Sequence, residues 1–382
     1  MPRSRVTEAA IPAEKLKAPF PKIELPVRPP FPPMEAKLVE EIPPAGRDAE
    51  GAWQYEPKWD GFRCLAFREG DQVLLQSKAG QPLGRYFPEL VAAVAALPQK
   101  QFVLDGEIVI ERGGLLSFDD LLMRIHPAES RIRKLAKETP ATLLCFDLVV
   151  DERGRSMIEQ PLEDRRAALE TFFEKITRLR RDTRASRPRP HDSIRLSPAS
   201  RDRRTAERWM KEGTASGLDG VVAKRLDLPY ESGERAMRKI KRVRTADCVV
   251  GGFRYASKGG EIGSLLLGLY GDDGLLHHVG FTSSFARDER KALKKIVLPL
   301  RGGKGFTGRA PGGPSRWSTE RSGEWEALEP KLVCEVRYDH FSGNRFRHGT
   351  KFLRWRPDKA PKQCGFDQVL RKPDLGFFLK TA

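Results

Sequence analysis

The texture of this chain changes once, just after Lys241, and that change limits what it can fold into. Upstream, from Trp53 to Val150, short β-like runs (FRCLAF, DQVLLQS, QFVLDGEIVI, ATLLCFDLVV) alternate with helical segments. Downstream, DCVVGGFRYA, SLLLGLYG, LLHHVGFT and KLVCEVRYDHF read as short strands separated by glycine turns, with one helix, RDERKALKKIV, among them. The length, 382 residues, also exceeds what one compact core usually holds. An α+β chain of two domains is therefore expected, with the boundary near residue 243.

Five or so strands with an intervening helix predict a small Greek-key barrel of the OB type over 243–370, a fold often used on nucleic acids. The first domain, over 34–242, should combine antiparallel sheets with helices. Residues 1–33 are rich in proline and charge and predict an extended arm that settles only near Met34, and 371–382 a tail. PELVAAVAAL and SFDDLLMRI predict helices, the second capped by Ser117. PLEDRRAALETFFEKITRLRR predicts a longer amphipathic helix opened by proline. SRDRRTAERWMKEG predicts another, closed by Gly213. RGGKGFTGRAPGGPSRWSTERSGEW reads as a long Gly/Pro-rich loop.

Charge narrows the class of partner. The formal net charge is +17, spread over both halves, which fits a clamp around a polyanion better than a tethering arm. Five scattered cysteines, without CxxC pairs, argue against a disulfide framework and against zinc, and predict buried free thiols. No apolar run reaches a membrane-spanning length and the N-terminus lacks a signal core, so a cytoplasmic location is expected.

The segment EPKWDGFR, residues 56–63, carries the chemistry. Lys58 ends a β-like run, and Asp60, Gly61 and Arg63 follow. An amine nucleophile has to shed its proton, through desolvation or neighbouring cations, and the glycine is expected to let backbone approach a nucleotide. LDGEIVI puts Asp105 and Glu107 two apart, on one side of a strand. Carboxylates in so apolar a strand suit a ribose hydroxyl or a metal better than packing. Phe146 in CFDLVV is read equally well as a purine stacker or as core. GLDGVVAKR supplies Asp219 and Lys224, and RKIKR sets Lys239 and Lys241 on one face, suited to phosphate.

The ordered set KWDGFR, SKAG, LDGEIV, CFDLV, LDGVVAKR, RKIK and LRWRPDK resembles the motif series of covalent nucleotidyltransferases. Within them it resembles the compact bacterial ATP-dependent DNA ligases linked to Ku-dependent end joining, made of an adenylation domain and an OB domain. The resemblance implies that Lys58 is adenylated and that Glu56 lies beside adenine. It implies that Arg63 contacts the sugar or the nick, and that Lys78 takes an arginine's place in SKAG. By the same resemblance Glu107 holds the ribose, Phe146 stacks on the base, and Lys239 and Lys241 meet the α-phosphate. Asp219, Glu107 and Asp60 are the implied metal ligands, and Arg356, Asp358 and Lys359 engage pyrophosphate when the OB domain closes. Lys78, Asp219 (usually glutamate) and Met237 (usually tryptophan) depart from the pattern.

The implied function is sealing of nicked double-stranded DNA by a monomer, with ATP and Mg²⁺ or Mn²⁺, in bacterial repair near the nucleoid. Ku, and separate polymerase and nuclease chains, are the implied partners. Cations around Lys58 are expected to lower its pKa. The alternatives are an RNA-capping guanylyltransferase or RNA ligase, separable by nucleotide choice, and a nucleic-acid clamp whose lysine no longer reacts.

Overall fold

A computed structural model of the chain describes residues 20–45, 52–181, 190–216, 218–256, 260–285, 287–312 and 324–370. The chain divides after Arg242 into two compact units. The first holds strands β1 (Ala36–Val39), β2 (Trp53–Lys58), β3 (Phe62–Glu69), β4 (Gln72–Ser77), β5 (Gln101–Arg112), β6 (Leu115–Leu116), β7 (Ala141–Val150), β8 (Ile194–Leu196), β9 (Gly220–Arg225) and β10 (Met237–Lys241). Its helices are α1 (Pro88–Ala95), α2 (Phe118–Arg124), α3 (Glu129–Glu138), α4 (Leu162–Arg181) and α5 (Arg203–Ser216).

These strands form two sheets, one in the order β4-β3-β5-β7-β8 and one in the order β1-β10-β9-β2. The larger sheet is covered on both faces, so β7 reads as an almost unbroken apolar run. One face packs against helices through Leu90 and Val94 of α1 and Leu169, Phe172 and Ile176 of α4. The other packs Leu65, Phe67, Val103 and Val149 against Met237 of β10, the position where tryptophan was the usual residue. Ser117 caps α2 by accepting from the Asp120 amide.

Two expectations change. Residues 20–33 lack regular secondary structure, but Ile23, Leu25 and Val27 are buried in the core with Leu65 and Val103. The arm is extended as expected, but it settles from Ile23 rather than only near Met34, because alternate apolar residues need only an extended backbone to fill a groove. Helix α5 does not stop at Gly213 but runs to Ser216. A glycine costs about 1 kcal/mol inside a helix, which weakens it without obliging it to end.

The second unit contains β11 (Arg244–Tyr255), β12 (Ile262–Tyr270), β13 (Leu276–Ser284), α6 (Arg287–Val297), β14 (Glu326–Ala327), β15 (Val333–Tyr338), the short pair β16 (Phe341–Ser342) and β17 (Arg345–Phe346), and β18 (Thr350–Trp355). Strand β11 pairs with both β12 and β15, and the path β12-β13-β18-β15 joins them into a closed ring. Only β13 and β18 run parallel in that ring. Five strands closed this way, with a helix after the third, make an OB barrel without free edges. Leu265, Leu267, Val279, Val336 and Phe352 fill it. The Gly/Pro-rich loop falls partly outside the described residues. All five cysteines are buried and free, as their apolar surroundings predicted. No described helix is long and apolar enough to cross a membrane.

Candidate active site

The site is built by strand alternation. On β2, Gln54, Glu56 and Lys58 share one face. Register pairs Gln54 with Lys224, Glu56 with Val222 and Lys58 with Gly220 on β9. Strand β10 in turn pairs Lys239 with Val222 and Lys241 with Gly220. One face of this sheet therefore carries Glu56, Lys58, Lys224, Lys239 and Lys241. On the larger sheet Arg63 pairs with Glu107 and Leu65 with Asp105. The β5–β7 register slips between Asp105 and Gly106, which leaves Phe146 as an extra residue between Asp147 and Cys145. This bulge lets Phe146 and Asp147 both turn from the helix-covered face, where strict alternation allows only one.

Lys58 is not free of anions. Its Nζ donates to Asp219 Oδ2 at 2.7 Å, and Lys241 Nζ lies 3.5 Å from the same oxygen. Burial pulls the Lys58 pKa down, but Asp219, with help from Asp60 and Glu107, outweighs it and leaves it raised. The expectation of a lowered Lys58 pKa is therefore wrong for this state: the nearest group is a carboxylate, not a cation. Among the described residues the lysine whose pKa is lowered is Lys239, through burial and then the charges of Lys58, Lys241, Lys78 and Arg235. Burial lifts the Glu107 carboxyl to about 7 against the opposing pull of Arg63 and Lys58.

Farther along the face, Lys224 Nζ contacts Glu56 Oε2 at 2.9 Å, both side chains 3% exposed. The other Glu56 oxygen accepts from Gln54 Nε2 at 2.8 Å. Lys224 Nζ and the Arg63 guanidinium lie 4.5 and 4.6 Å from the centre of the Phe146 ring. Arg63 forks onto both oxygens of Asp105 at 2.5 Å, and the Tyr230 hydroxyl donates to Asp105 at 2.6 Å. Asp105, read as a ribose or metal candidate, is thus fully buried and serves to hold Arg63. Asp147 is held likewise by Arg165, at 2.8 Å.

Lys78 follows β4 and reaches Glu35 at 3.3 Å. Gly61 is required for a different reason from the expected one. A Cβ there would sit 2.1 Å from the Ile108 carbonyl oxygen, so the glycine lets the turn after β2 approach β5. At Gly220, φ is +148° and a Cβ would meet the Ile240 oxygen at 2.0 Å, which explains the glycine beside Asp219. Asp60, Glu107 and Asp219 all act on Lys58, but no three acidic, histidine or cysteine side chains among the described residues group closely enough to hold a metal. One or two of these carboxylates with phosphate oxygens and water would suit Mg²⁺.

Arg356, Asp358 and Lys359 follow β18 in the second unit. Arg356 bonds Asp358 and Asp247, and Lys359 Nζ reaches Asp247 at 2.8 Å. The Arg356 hydrogen bonds hold the Asp358 carboxyl down at about 2.

A family model described as ATP dependent DNA ligase domain matches residues 33–241, and one described as ATP dependent DNA ligase C terminal region matches residues 258–359. The chain belongs to the ATP-dependent DNA ligase family. This ligase is 45% identical over 356 residues to DNA ligase C1 of Mycolicibacterium smegmatis, covering 91% of this chain and 96% of that one. It is 44% identical over 366 residues to DNA ligase C of Mycobacterium tuberculosis, again covering 91% and 96%. The solved structure Pmar-Lig_PreS3 shares its fold, with a TM-score of 0.54 at 18% identity over 80% of this chain and 64% of that one. Membership sets this ligase among the DNA ligases rather than the capping enzymes. Sequence reading missed Gln54, the pairing of Lys224 with Glu56, and Asp247. Alternation along β2 could have exposed Gln54, but the other two depend on strand pairing.

Proposed function

We infer that this ligase seals nicks in duplex DNA through a lysyl-AMP on Lys58. The observation that carries the reading is Lys58 at the end of β2, held by Asp219 on a face shared with Lys239 and Lys241. In the first step the unprotonated Nζ of Lys58 attacks the α-phosphorus of ATP, an N–P bond forms, and the P–O bond to pyrophosphate breaks. Lys239 and Lys241 face the developing phosphate charge, the main help a protein gives this transfer. Phe146 stacks on adenine, Glu56 lies beside it, Arg63 and Glu107 serve the sugar, and Lys78 takes the place of the usual arginine. A bound divalent cation, Mg²⁺ or Mn²⁺, supplies further charge against phosphate oxygens, and Asp219, with Asp60 or Glu107, is where this chain would hold it. AMP then passes to a 5′-phosphate, and the neighbouring 3′-hydroxyl displaces it to close the backbone.

The +17 charge suits phosphate contacts with steep salt dependence and little sequence preference. Arg356, Asp358 and Lys359 serve the leaving pyrophosphate. The ligase acts as a cytoplasmic, nucleoid-associated monomer in end joining, with Ku and separate polymerase and nuclease chains as its partners. The test is labelling with α-³²P-ATP, with α-³²P-GTP in parallel, followed by a denaturing gel. A band with ATP alone, lost in Lys58→Ala and discharged by nicked DNA, is expected. Label retained by Lys58→Ala would remove the nucleophile assignment, and no band after pyrophosphate stripping would make the chain an inert clamp.

A further inference from the structure

The segment Arg356–Lys359 follows the end of β18, and within it Arg356 and Lys359 are half-buried while Pro357 and Asp358 are exposed. The anchor of the two cations is on β11. Asp247 lies between buried Ala246 and Cys248, with its side chain 11% exposed. Its backbone is tied on both sides by one side chain: its amide donates to Gln368 Oε1 at 3.0 Å, and its carbonyl accepts from Gln368 Nε2 at 3.2 Å. The carboxylate is thus fixed to the barrel wall. Onto it converge Arg356 Nη1, at 2.9 and 3.0 Å from its two oxygens, and Lys359 Nζ at 2.8 Å.

The two sides of the Arg356 guanidinium differ. Nη1 is held by fixed Asp247, while Nε and Nη2 bond Asp358 at 2.8–3.1 Å. Asp358 is 61% exposed, so its side chain can swing into solvent without breaking any packing. The Nε/Nη2 fork it would vacate matches two phosphate oxygens. Lys359 uses one donor on Asp247 and retains two.

We propose that Asp247 is the positioning residue of this segment, clamping the Nη1 side of Arg356 and one donor of Lys359 so that a phosphate replaces Asp358 on the open fork. This rests on the reading that Arg356 and Lys359 serve pyrophosphate. A rigid anion that fixes two flexible cations before the ligand arrives lowers the ordering cost of binding it. Asp358 holds the fork until then.

The test compares Asp247→Asn, Asp247→Glu and Arg356→Ala in two reactions of the full chain. One is single-turnover self-adenylylation across ATP concentrations, and the other is sealing of a chemically pre-adenylated nick, which releases AMP and no pyrophosphate. Asp247→Asn should slow adenylylation about tenfold or more, the size expected for losing a charged acceptor. It should seal the pre-adenylated nick at the parent rate, and Asp247→Glu should recover part of the loss. Parent-rate or faster adenylylation by Asp247→Asn while Arg356→Ala is slow would overturn the proposal alone. Equal loss in both reactions would overturn it too, by making Asp247 a residue of the fold. Normal adenylylation by Arg356→Ala would remove the pyrophosphate reading as well.

Discussion

Asp219→Asn separates the charge state of Lys58 from its activity. The substitution keeps the side chain's shape and an acceptor, but removes the anion 2.7 Å from Lys58 Nζ. The two side chains are 21% and 10% exposed, so water screens the contact only in part. A hydrogen bond between charged groups contributes about 1.5–3 kcal/mol, and about 1.4 kcal/mol corresponds to one pKa unit. The Lys58 pKa should therefore fall, with burial unopposed by its strongest partner. The free-amine fraction at pH 8 then rises, partly offset because a less basic amine is a weaker nucleophile. Competitive acylation without nucleotide or metal, read by mass spectrometry against exposed Lys134, should show Lys58 labelling about tenfold faster in the variant. Adenylylation by the same variant should slow, because Asp219 is where the divalent cation is expected. Reactivity and activity would move in opposite directions. Unchanged or slower acylation would refute the assignment of Asp219 as the group that keeps Lys58 charged.

Two more substitutions probe the same unit through its stability. Glu107 titrates near 7 in the folded chain, against an ordinary value of 4.5. Between those values the folded state binds the extra proton, so this group's contribution is fully present below about pH 4.5 and is lost as pH rises through about 7. The ceiling on that loss is on the order of 3 kcal/mol, and Glu107→Gln should remove it, so the variant's melting temperature should gain on the parent's from pH 5 to 7.5. A difference independent of pH would refute the assignment of a raised Glu107 pKa. Arg165→Met leaves Asp147, 1% exposed, without its main cation, and should cost about 3–5 kcal/mol in urea unfolding; a loss under 1 kcal/mol would show that the pair is replaceable.

Sequence alone determined the local chemistry and the outline of the fold. A lysine ending a strand, paired lysines two apart and a switch to glycine-punctuated strands are written in periods of a few residues, and Ser117 at the head of α2 was equally local. Tertiary structure decided what each charged group meets. Asp105 and Glu107 look equivalent in LDGEIVI, yet one is clamped by Arg63 and Tyr230 while the other is lifted to about 7. Lys58 and Asp219 stand 161 positions apart and meet because β2 and β9 pair in one particular register. Asp247 gathers Arg356 and Lys359 from 109 and 112 positions away. Charge interactions fall off over a few ångströms and grow strong only where water is excluded, so a pKa depends on neighbours in space, and those neighbours are set by strand pairing rather than by adjacency along the chain.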